Sequence, residues 1–134
     1  ASEIVLSGIT PGPLDRFGRK RDDFAKISLG AEEVVKWRRV ETAKDFVQSW
    51  KKENSSRVVL ALEQDFQSVD YKSFAEEVDL EKEYLIVPGR EREGLEKEIL
   101  ELCDAVCEIP QYGQKESLNI FSSLSILLYR LFDK

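Results

Sequence analysis

The sequence predicts an α/β fold in which a mostly parallel sheet carries helices on both faces. Two runs, residues 57–62 and 83–87, are unbroken apolar stretches after their first residue. Such runs are typical of strands that are buried on both faces. Segments with helical spacing alternate with the predicted strands, and this alternation favours parallel strands that are connected by helices.

Local signals predict the other elements in order. Residues 3–7 form a short apolar run that ends at Gly8, which indicates a strand, and the turn residues at 10–13 begin a loop that extends to residue 23. Thr42 is a suitable N-cap for a helix over residues 43–52, where apolar residues recur at helical spacing. The remaining predicted elements are a short strand at 34–37, a turn or helix at 68–77, a helix at 95–102, a strand at 105–109 and a final helix at 117–132.

The composition limits the classes of function. The chain has 134 residues, which suits one domain, and a formal net charge of −6. This charge argues against a protein whose whole surface attracts nucleic acid, although it allows a local basic patch. No apolar run approaches the roughly 18 residues that a membrane span needs, and the first residues lack the basic start of a signal peptide. The sequence therefore predicts a cytoplasmic protein with no membrane segment.

The chain has no histidine and two cysteines, Cys103 and Cys107. Without histidine or further cysteines a zinc site is not expected, so the two cysteines are predicted to be reduced, partly buried thiols and no metal is predicted. The absence of histidine also removes the usual general base. Catalysis would have to use carboxylates, arginine, lysine, tyrosine or positioning of the substrate.

One basic cluster lies in the first loop, at residues 15–21. The cations Arg16, Arg19, Lys20 and Arg21 could contact RNA phosphates, and Phe17 could stack on a base. The alternative is a solvated loop with no ligand. Both interpretations remain open from the residues alone.

Two segments at predicted strand ends indicate a ligand site, because open α/β sheets bind ligands at the carboxyl ends of their strands. Residues 89–95 (Gly-Arg-Glu-Arg-Glu-Gly-Leu) follow a buried strand, and their two glycines allow a sharp turn close to a ligand. Residues 109–119 (Ile-Pro-Gln-Tyr-Gly-Gln-Lys-Glu-Ser-Leu-Asn) lead from a strand into the last helix, for which Ser117 is the predicted N-cap.

Taken together and in order, these segments resemble motifs 2 and 3 of the SpoU/TrmH family of RNA ribose 2′-O-methyltransferases, in the SPOUT superfamily. The shared pattern is Gly-x-Glu-x-x-Gly-Leu, then Cys-Asp, then Ile-Pro-x-x-Gly-x-x-x-Ser-Leu-Asn, then an apolar helix with Ile-Leu-Leu-Tyr. Weaker similarity to one branch of the family extends upstream, through residues 7–11, 26–33 and 61–64 and at Trp37. The resemblance therefore covers nearly the whole chain.

The resemblance implies a fold, a cofactor and a substrate. The fold would be α/β with a C-terminal trefoil knot that forms the pocket for S-adenosyl-L-methionine, and the last helix would build a homodimer. The substrate would be a ribose 2′-hydroxyl of tRNA or rRNA. The implied cofactor-binding residues are Leu62, Glu63, Gly89, Ile109 and Leu118. The implied catalytic positions are Glu91, Ser117 and Asn119.

The family's motif 1, which supplies an asparagine and the arginine usually assigned to activating the 2′-hydroxyl, is not seen in this sequence. We therefore expect a single SPOUT methyltransferase domain over residues 1–134 that lacks the family's first strand and helix. Two explanations are open: a fragment of a longer enzyme, or a shortened relative without that arginine. The first favours an enzyme or its cofactor-binding part, and the second favours a catalytically inactive RNA-binding or assembly protein. A methyltransferase of this fold with another substrate is a third interpretation.

Overall fold

The computed structural model describes residues 1–90, 93–114 and 117–133. The chain divides into two compact units, Ala1–Phe46 and Val47–Lys134. Each unit has its own parallel sheet. The predicted division of the sequence, one domain over the whole chain, stays a prediction.

The first unit is built on two strands, β1 (Glu3–Ser7) and β2 (Lys36–Val40), which pair in parallel. β1 has the predicted bounds, and β2 begins two residues later than predicted. Between them lie α1 (Asp22–Ser28) and α2 (Ala31–Val34), which the sequence analysis did not predict. α3 (Ala43–Glu53) begins in this unit and continues into the second. Its predicted cap is confirmed, because the Thr42 hydroxyl oxygen accepts the backbone N–H of Asp45 at 3.1 Å.

The second unit holds a four-stranded sheet. Its strands are β3 (Val58–Leu62), β4 (Val69–Asp70), β5 (Tyr84–Pro88) and β6 (Ala105–Glu108), in the order β4-β6-β3-β5. Every pairing in this sheet is parallel, as predicted. The helices of the unit are the rest of α3 and α4 (Tyr71–Glu76), α5 (Lys97–Leu100) and α6 (Ile120–Phe132).

β3 is the centre of this unit, and both of its faces are buried. Leu60 and Leu62 belong to a core cluster with Cys107 of β6. Val59 and Ala61 point to the opposite face, because side chains alternate along a strand, and both are 0% exposed. The apolar run was therefore interpreted correctly as a strand covered on two sides. The other buried members of the cluster are Ala75 of α4, Val78, and Leu127 and Leu131 of α6.

Two helix predictions were wrong in their bounds. α5 spans four residues, not the predicted 95–102. The chain leaves the helix because Asp104 is fixed to β3: its N–H donates to the carbonyl of Val59 at 2.8 Å, and its carboxylate accepts the Val59 N–H at 2.8 Å. α6 begins at Ile120 rather than at Ser117, since Asn119 is its N-cap and accepts the Phe121 N–H at 2.9 Å. Ser117 is therefore not the cap.

The two cysteines are free thiols, as predicted, with Cys107 buried and Cys103 partly buried. Burial raises the pKa of Cys107 to about 12 and that of Cys103 to about 11. Because the thiolate is the reactive form, both groups are unreactive near neutral pH. Within the described residues no helix is both long and apolar enough to cross a membrane.

Candidate functional site

A cleft lies in the second unit where three parallel strands end. The ends of β3, β5 and β6 contribute Leu62, Glu63, Gly89 and Ile109, and Leu118 lies just before α6. This is the edge at which α/β sheets bind ligands. The five residues that the family resemblance assigned to the cofactor therefore meet around one cleft.

Glu63 organises the floor of this cleft. Its Oε2 accepts the backbone N–H of Leu95 at 2.8 Å, and its Oε1 accepts the N–H of Gln64 at 3.0 Å. The carboxylate thereby connects the end of β3 to the loop after β5. Hydrogen bonds from backbone N–H groups to a charged acceptor are among the stronger ones in proteins. Glu63 thus has a structural role in the loop in addition to its position at the cleft.

Gly89 and Gly94 are required by the position of this carboxylate. A Cβ atom built on Gly89 would overlap Glu63 Oε2 and lie 3.2 Å from the Gly94 Cα, and one built on Gly94 would lie 2.6 Å from the same oxygen. Gly94 also has a φ of 68°, which favours glycine. The backbones of Arg90 and Gly94 close the loop through two hydrogen bonds, of 3.2 and 3.1 Å. Glycine therefore allows the loop to fold tightly over Glu63.

The predicted catalytic positions have different environments. Ser117 lines the cleft. Asn119 uses its side-chain oxygen to cap α6, and it is not among the residues that form the wall of the cleft. Glu91 lies outside the described residues. The catalytic set is thus only partly located at the cleft.

The cleft also contains polar residues that the sequence analysis did not assign. Gln64, Arg90 and Gln111 line it, and all three follow strand ends, so the strand-end rule could have found them. Gln111 donates its side-chain N–H to the carbonyl of Ile109 at 2.8 Å. Because a carbonyl oxygen has two lone pairs, this bond leaves one of them for a ligand. Other lining residues that were missed are Glu108, Ile120 and Ser123.

A second feature, which we call the arginine groove, lies within the first unit and has a volume of about 510 Å³. We define it by Thr10, Phe17 and four arginines, Arg16, Arg19, Arg21 and Arg39. Three of these arginines were predicted to contact RNA, and Arg39 was missed. Arg39 is recruited from β2, where it donates to the Gly8 carbonyl at 2.8 Å, so no local pattern in the loop could have indicated it.

Ion pairs hold several of the predicted cations. Lys20 pairs with Glu33, which raises the lysine pKa, and it does not line the groove. Arg21 pairs with Asp23 at 2.5 Å, and this bond raises the arginine pKa. Of the four predicted RNA-contacting residues, the structure therefore brings Arg16, Arg19 and Arg21 together around the groove and leaves Lys20 outside its lining.

Known proteins resemble this chain over most of its length. Residues 11–129 match the SpoU rRNA Methylase family. The 23S rRNA (guanosine-2′-O-)-methyltransferase RlmB of Coxiella burnetii is 31% identical over 119 residues, which is 89% of this chain and 45% of that protein. The tRNA (guanosine(18)-2′-O)-methyltransferase of Aquifex aeolicus is 42% identical over 53 residues, which is 40% of this chain and 25% of that protein.

Solved structures give the same result. The AdoMet-bound rRNA methyltransferase from Sinorhizobium meliloti aligns with a TM-score of 0.76 and 26% identity, over 98% of this chain and 45% of that one. The chain thus spans less than half the length of these relatives. Because the family match covers residues 11–129 and the second unit has the predicted parallel sheet, the chain belongs to the SpoU rRNA methylase family.

Proposed function

We propose that this chain is an S-adenosyl-L-methionine-dependent RNA 2′-O-ribose methyltransferase that acts on tRNA or rRNA, or the cofactor-binding part of such an enzyme. The observation that carries this proposal is the convergence of Leu62, Glu63, Gly89, Ile109 and Leu118 on one cleft at the strand ends. The relatives named above are 2′-O-methyltransferases of tRNA and rRNA, which supports RNA as the substrate class. An RNA substrate also supports the expected cytoplasmic location.

The residues of the cleft suit this cofactor. S-adenosyl-L-methionine combines a flat aromatic base and a ribose with a charged amino-acid group, and it supplies an electrophilic methyl group on a sulfonium. Leu62, Ile109 and Leu118 offer apolar contacts, and Glu63 and Arg90 offer charges of both signs. Gly89 lets the backbone approach a ligand without a side chain between them. We assign the five converging residues to the cofactor.

The contribution of the protein to methyl transfer would be mainly positioning. Holding a nucleophilic oxygen in line with a methyl group converts a bimolecular step into one with a high effective concentration. Ser117 lies at the wall of the cleft, so its hydroxyl is a candidate to orient the ribose. We propose that Glu91, Ser117 and Asn119 act at the reacting centre and that Arg16, Arg19, Lys20 and Arg21 contact the RNA. A C-terminal trefoil knot and a single SPOUT domain remain part of the proposal.

Calorimetry with S-adenosyl-L-methionine tests the cofactor assignment. We expect saturable binding by the unaltered chain, and we expect Leu118→Ala to weaken it about tenfold, which corresponds to ~1.4 kcal/mol of lost apolar contact. Leu118 is 40% exposed before a ligand is bound. Leu80→Ala is the matched control, because Leu80 is 54% exposed and does not line the cleft. If the folded chain shows no binding, the inactive RNA-binding alternative replaces the enzyme.

Variants of Asn119 separate capping from a role in the reaction. Asn119→Asp should keep the free energy of unfolding within about 0.5 kcal/mol, because aspartate caps helices as well as asparagine does. Asn119→Ala should lower it by about 1 kcal/mol. The amide N–H₂ remains available to a ligand while the side-chain oxygen caps α6, so we expect both variants to weaken methyl transfer or cofactor binding. Full function in Asn119→Asp would limit Asn119 to capping.

We also propose a homodimer formed through α6. Two aromatic side chains of this helix are exposed, Phe121 at 75% and Tyr129 at 72%, whereas Leu127 and Leu131 on its other side are fully buried. Leu124 packs against the same core as Leu127 and Leu131. Large exposed aromatic side chains are typical of a surface that a partner covers.

A further inference from the structure

The loop of the arginine groove is closed by its own hydrogen bonds. Leu14 and Lys20 form an antiparallel bridge, and the Asp15 N–H donates to the Arg19 carbonyl at 2.9 Å. The Asp15 carboxylate accepts the N–H groups of Phe17 and Arg19 at 2.8 and 2.9 Å. The bond from the Arg19 backbone lowers the pKa of Asp15, which favours the ionised form of this acceptor. The loop thus has a defined shape.

This closure places Phe17 at the tip of the loop. Its side chain is 66% exposed, and Gly18 supplies the left-handed turn that follows it, with a φ of 77°. The guanidinium carbons of Arg16 and Arg19 lie 4.7 and 5.1 Å from the centre of the Phe17 ring. A guanidinium over the face of an aromatic ring is attracted to it electrostatically, so these contacts hold the Phe17 ring in position. An exposed aromatic ring flanked by arginines is a surface on which a nucleobase stacks.

The charge of the groove differs from that of the chain. Four arginines line it with one acidic residue, Asp15, whereas the whole chain carries a net charge of −6. Arg19 pairs with Asp15 and Arg21 pairs with Asp23, while Arg16 and Arg39 line the groove without an ion pair among the described residues. A local cluster of cations on an acidic protein concentrates attraction for an anion at one place. The volume of about 510 Å³ lies within the ~300–1,000 Å³ of small-molecule sites, which is enough for one nucleotide.

We propose that the arginine groove binds one unpaired nucleotide of the RNA, with its base stacked on Phe17 and Arg16 and its phosphates held by Arg19, Arg21 and Arg39. The inference rests on the proposed RNA substrate and adds that the substrate presents a flipped or looped-out base. A base inside a duplex has no free face for Phe17, so a duplex would use the arginines alone. The aromatic ring is thus what distinguishes single-stranded from double-stranded RNA here.

Fluorescence anisotropy with two labelled RNAs tests this inference. One is an unstructured oligonucleotide of a dozen nucleotides, and the other is the same sequence annealed to its complement. We expect Phe17→Ala to weaken binding of the single strand about tenfold, the loss expected for one stacked base, and to leave duplex binding unchanged. Phe17→Trp should restore the affinity, because it retains an aromatic face.

Salt dependence separates stacking from charge. Arg21→Ala should lower the slope of log affinity against log salt by about 0.7 for the single strand, because Arg21 is one of the arginines assigned to a phosphate, whereas Phe17→Ala should leave the slope unchanged. Phe66→Ala and Lys97→Ala are matched controls from the second unit, since Phe66 is 92% exposed and the Lys97 side chain is 88% exposed. Neither control should alter affinity or slope.

The outcomes distinguish this inference from the proposed function. If Phe17→Ala binds the single strand as tightly as the unaltered chain, the stacking site is overturned even when calorimetry shows cofactor binding. If Phe17 is needed for RNA but the cofactor does not bind, the nucleotide site stands and the methyltransferase proposal fails. If Phe17→Ala causes equal losses on single strand and duplex, the ring does not distinguish an unpaired base and the inference is wrong. The absence of any RNA binding overturns both the groove and the RNA substrate.

Discussion

Gly89→Ala is expected to destabilise the second unit and to weaken cofactor binding roughly 100-fold. The new Cβ would occupy the position of Glu63 Oε2, so the carboxylate would have to leave the backbone N–H groups of Leu95 and Gln64. Leaving a donor without its acceptor costs about 1–3 kcal/mol for each group that water does not reach. Because Glu63 is only partly buried, we expect a total loss near the lower end, about 1–2 kcal/mol.

The loss of binding should exceed the loss of stability. Gly89 has little room to shift, since the new Cβ would also lie 3.2 Å from the Gly94 Cα. Displacing Gly89 and Arg90 would move one wall of the cleft, and we expect a loss of roughly 100-fold in cofactor affinity, about 2.8 kcal/mol. Urea unfolding measures the first effect, and calorimetry with S-adenosyl-L-methionine measures the second.

Two comparisons make the Gly89 prediction specific. Gly113→Ala is the control, because a Cβ there would meet nothing within 4 Å, and it should change neither quantity. The Glu63→Ala substitution removes the overlap. In that variant, Gly89→Ala should therefore lower the free energy of unfolding by less than it does in the unaltered chain. Strict additivity of the two substitutions would show that the Glu63 carboxylate is not the reason for glycine at this position.

The parallel sheet could be predicted because its signal is local and strong. β3 and β5 are apolar runs that end in turn residues, and their bounds were predicted within one residue. The cleft followed from the strand-end rule, so most of its lining could be anticipated. Helix ends were less predictable where two capping residues compete. Ser117 and Asn119 are both good N-caps by residue type, and their spacing alone does not decide between them.

Features that depend on distant residues could not be predicted from the sequence. Glu63 contacts Gly89 and Gly94, which lie 26 and 31 residues further along the chain. Nothing in the local pattern indicates that a carboxylate fills the space that the two glycines leave. The chain leaves α5 because Asp104 is hydrogen-bonded to Val59, which lies on β3, far away in the sequence. The residues that the family resemblance assigned to the cofactor line one cleft, whereas these packing constraints explain why the glycines are needed beside Glu63.

Charged substitutions on the exposed face of α6 are expected to dissociate the proposed dimer. Phe121→Glu and Tyr129→Lys each replace a large aromatic residue that would be buried at the interface. Aromatic residues are frequent hot spots of interfaces, and loss of one typically costs ~2 kcal/mol or more, which is at least about 30-fold in the dissociation constant. Placing an unpaired charge in a dry interface adds to this cost. Sedimentation across a range of concentrations measures the change.

The same substitutions should leave the folded chain intact, which makes the dimer prediction separable from misfolding. Glutamate suits the first turn of a helix and lysine suits the last, because of the helix dipole, and neither side chain belongs to the core cluster. Phe66→Glu is the control, since Phe66 is 92% exposed in the same unit but not on α6. If the unaltered chain sediments as a monomer, or if the α6 variants remain dimeric while the Phe66 variant does not, then α6 is not the interface. Persistence of cofactor binding in a monomeric variant would further show that the cleft is complete within one chain.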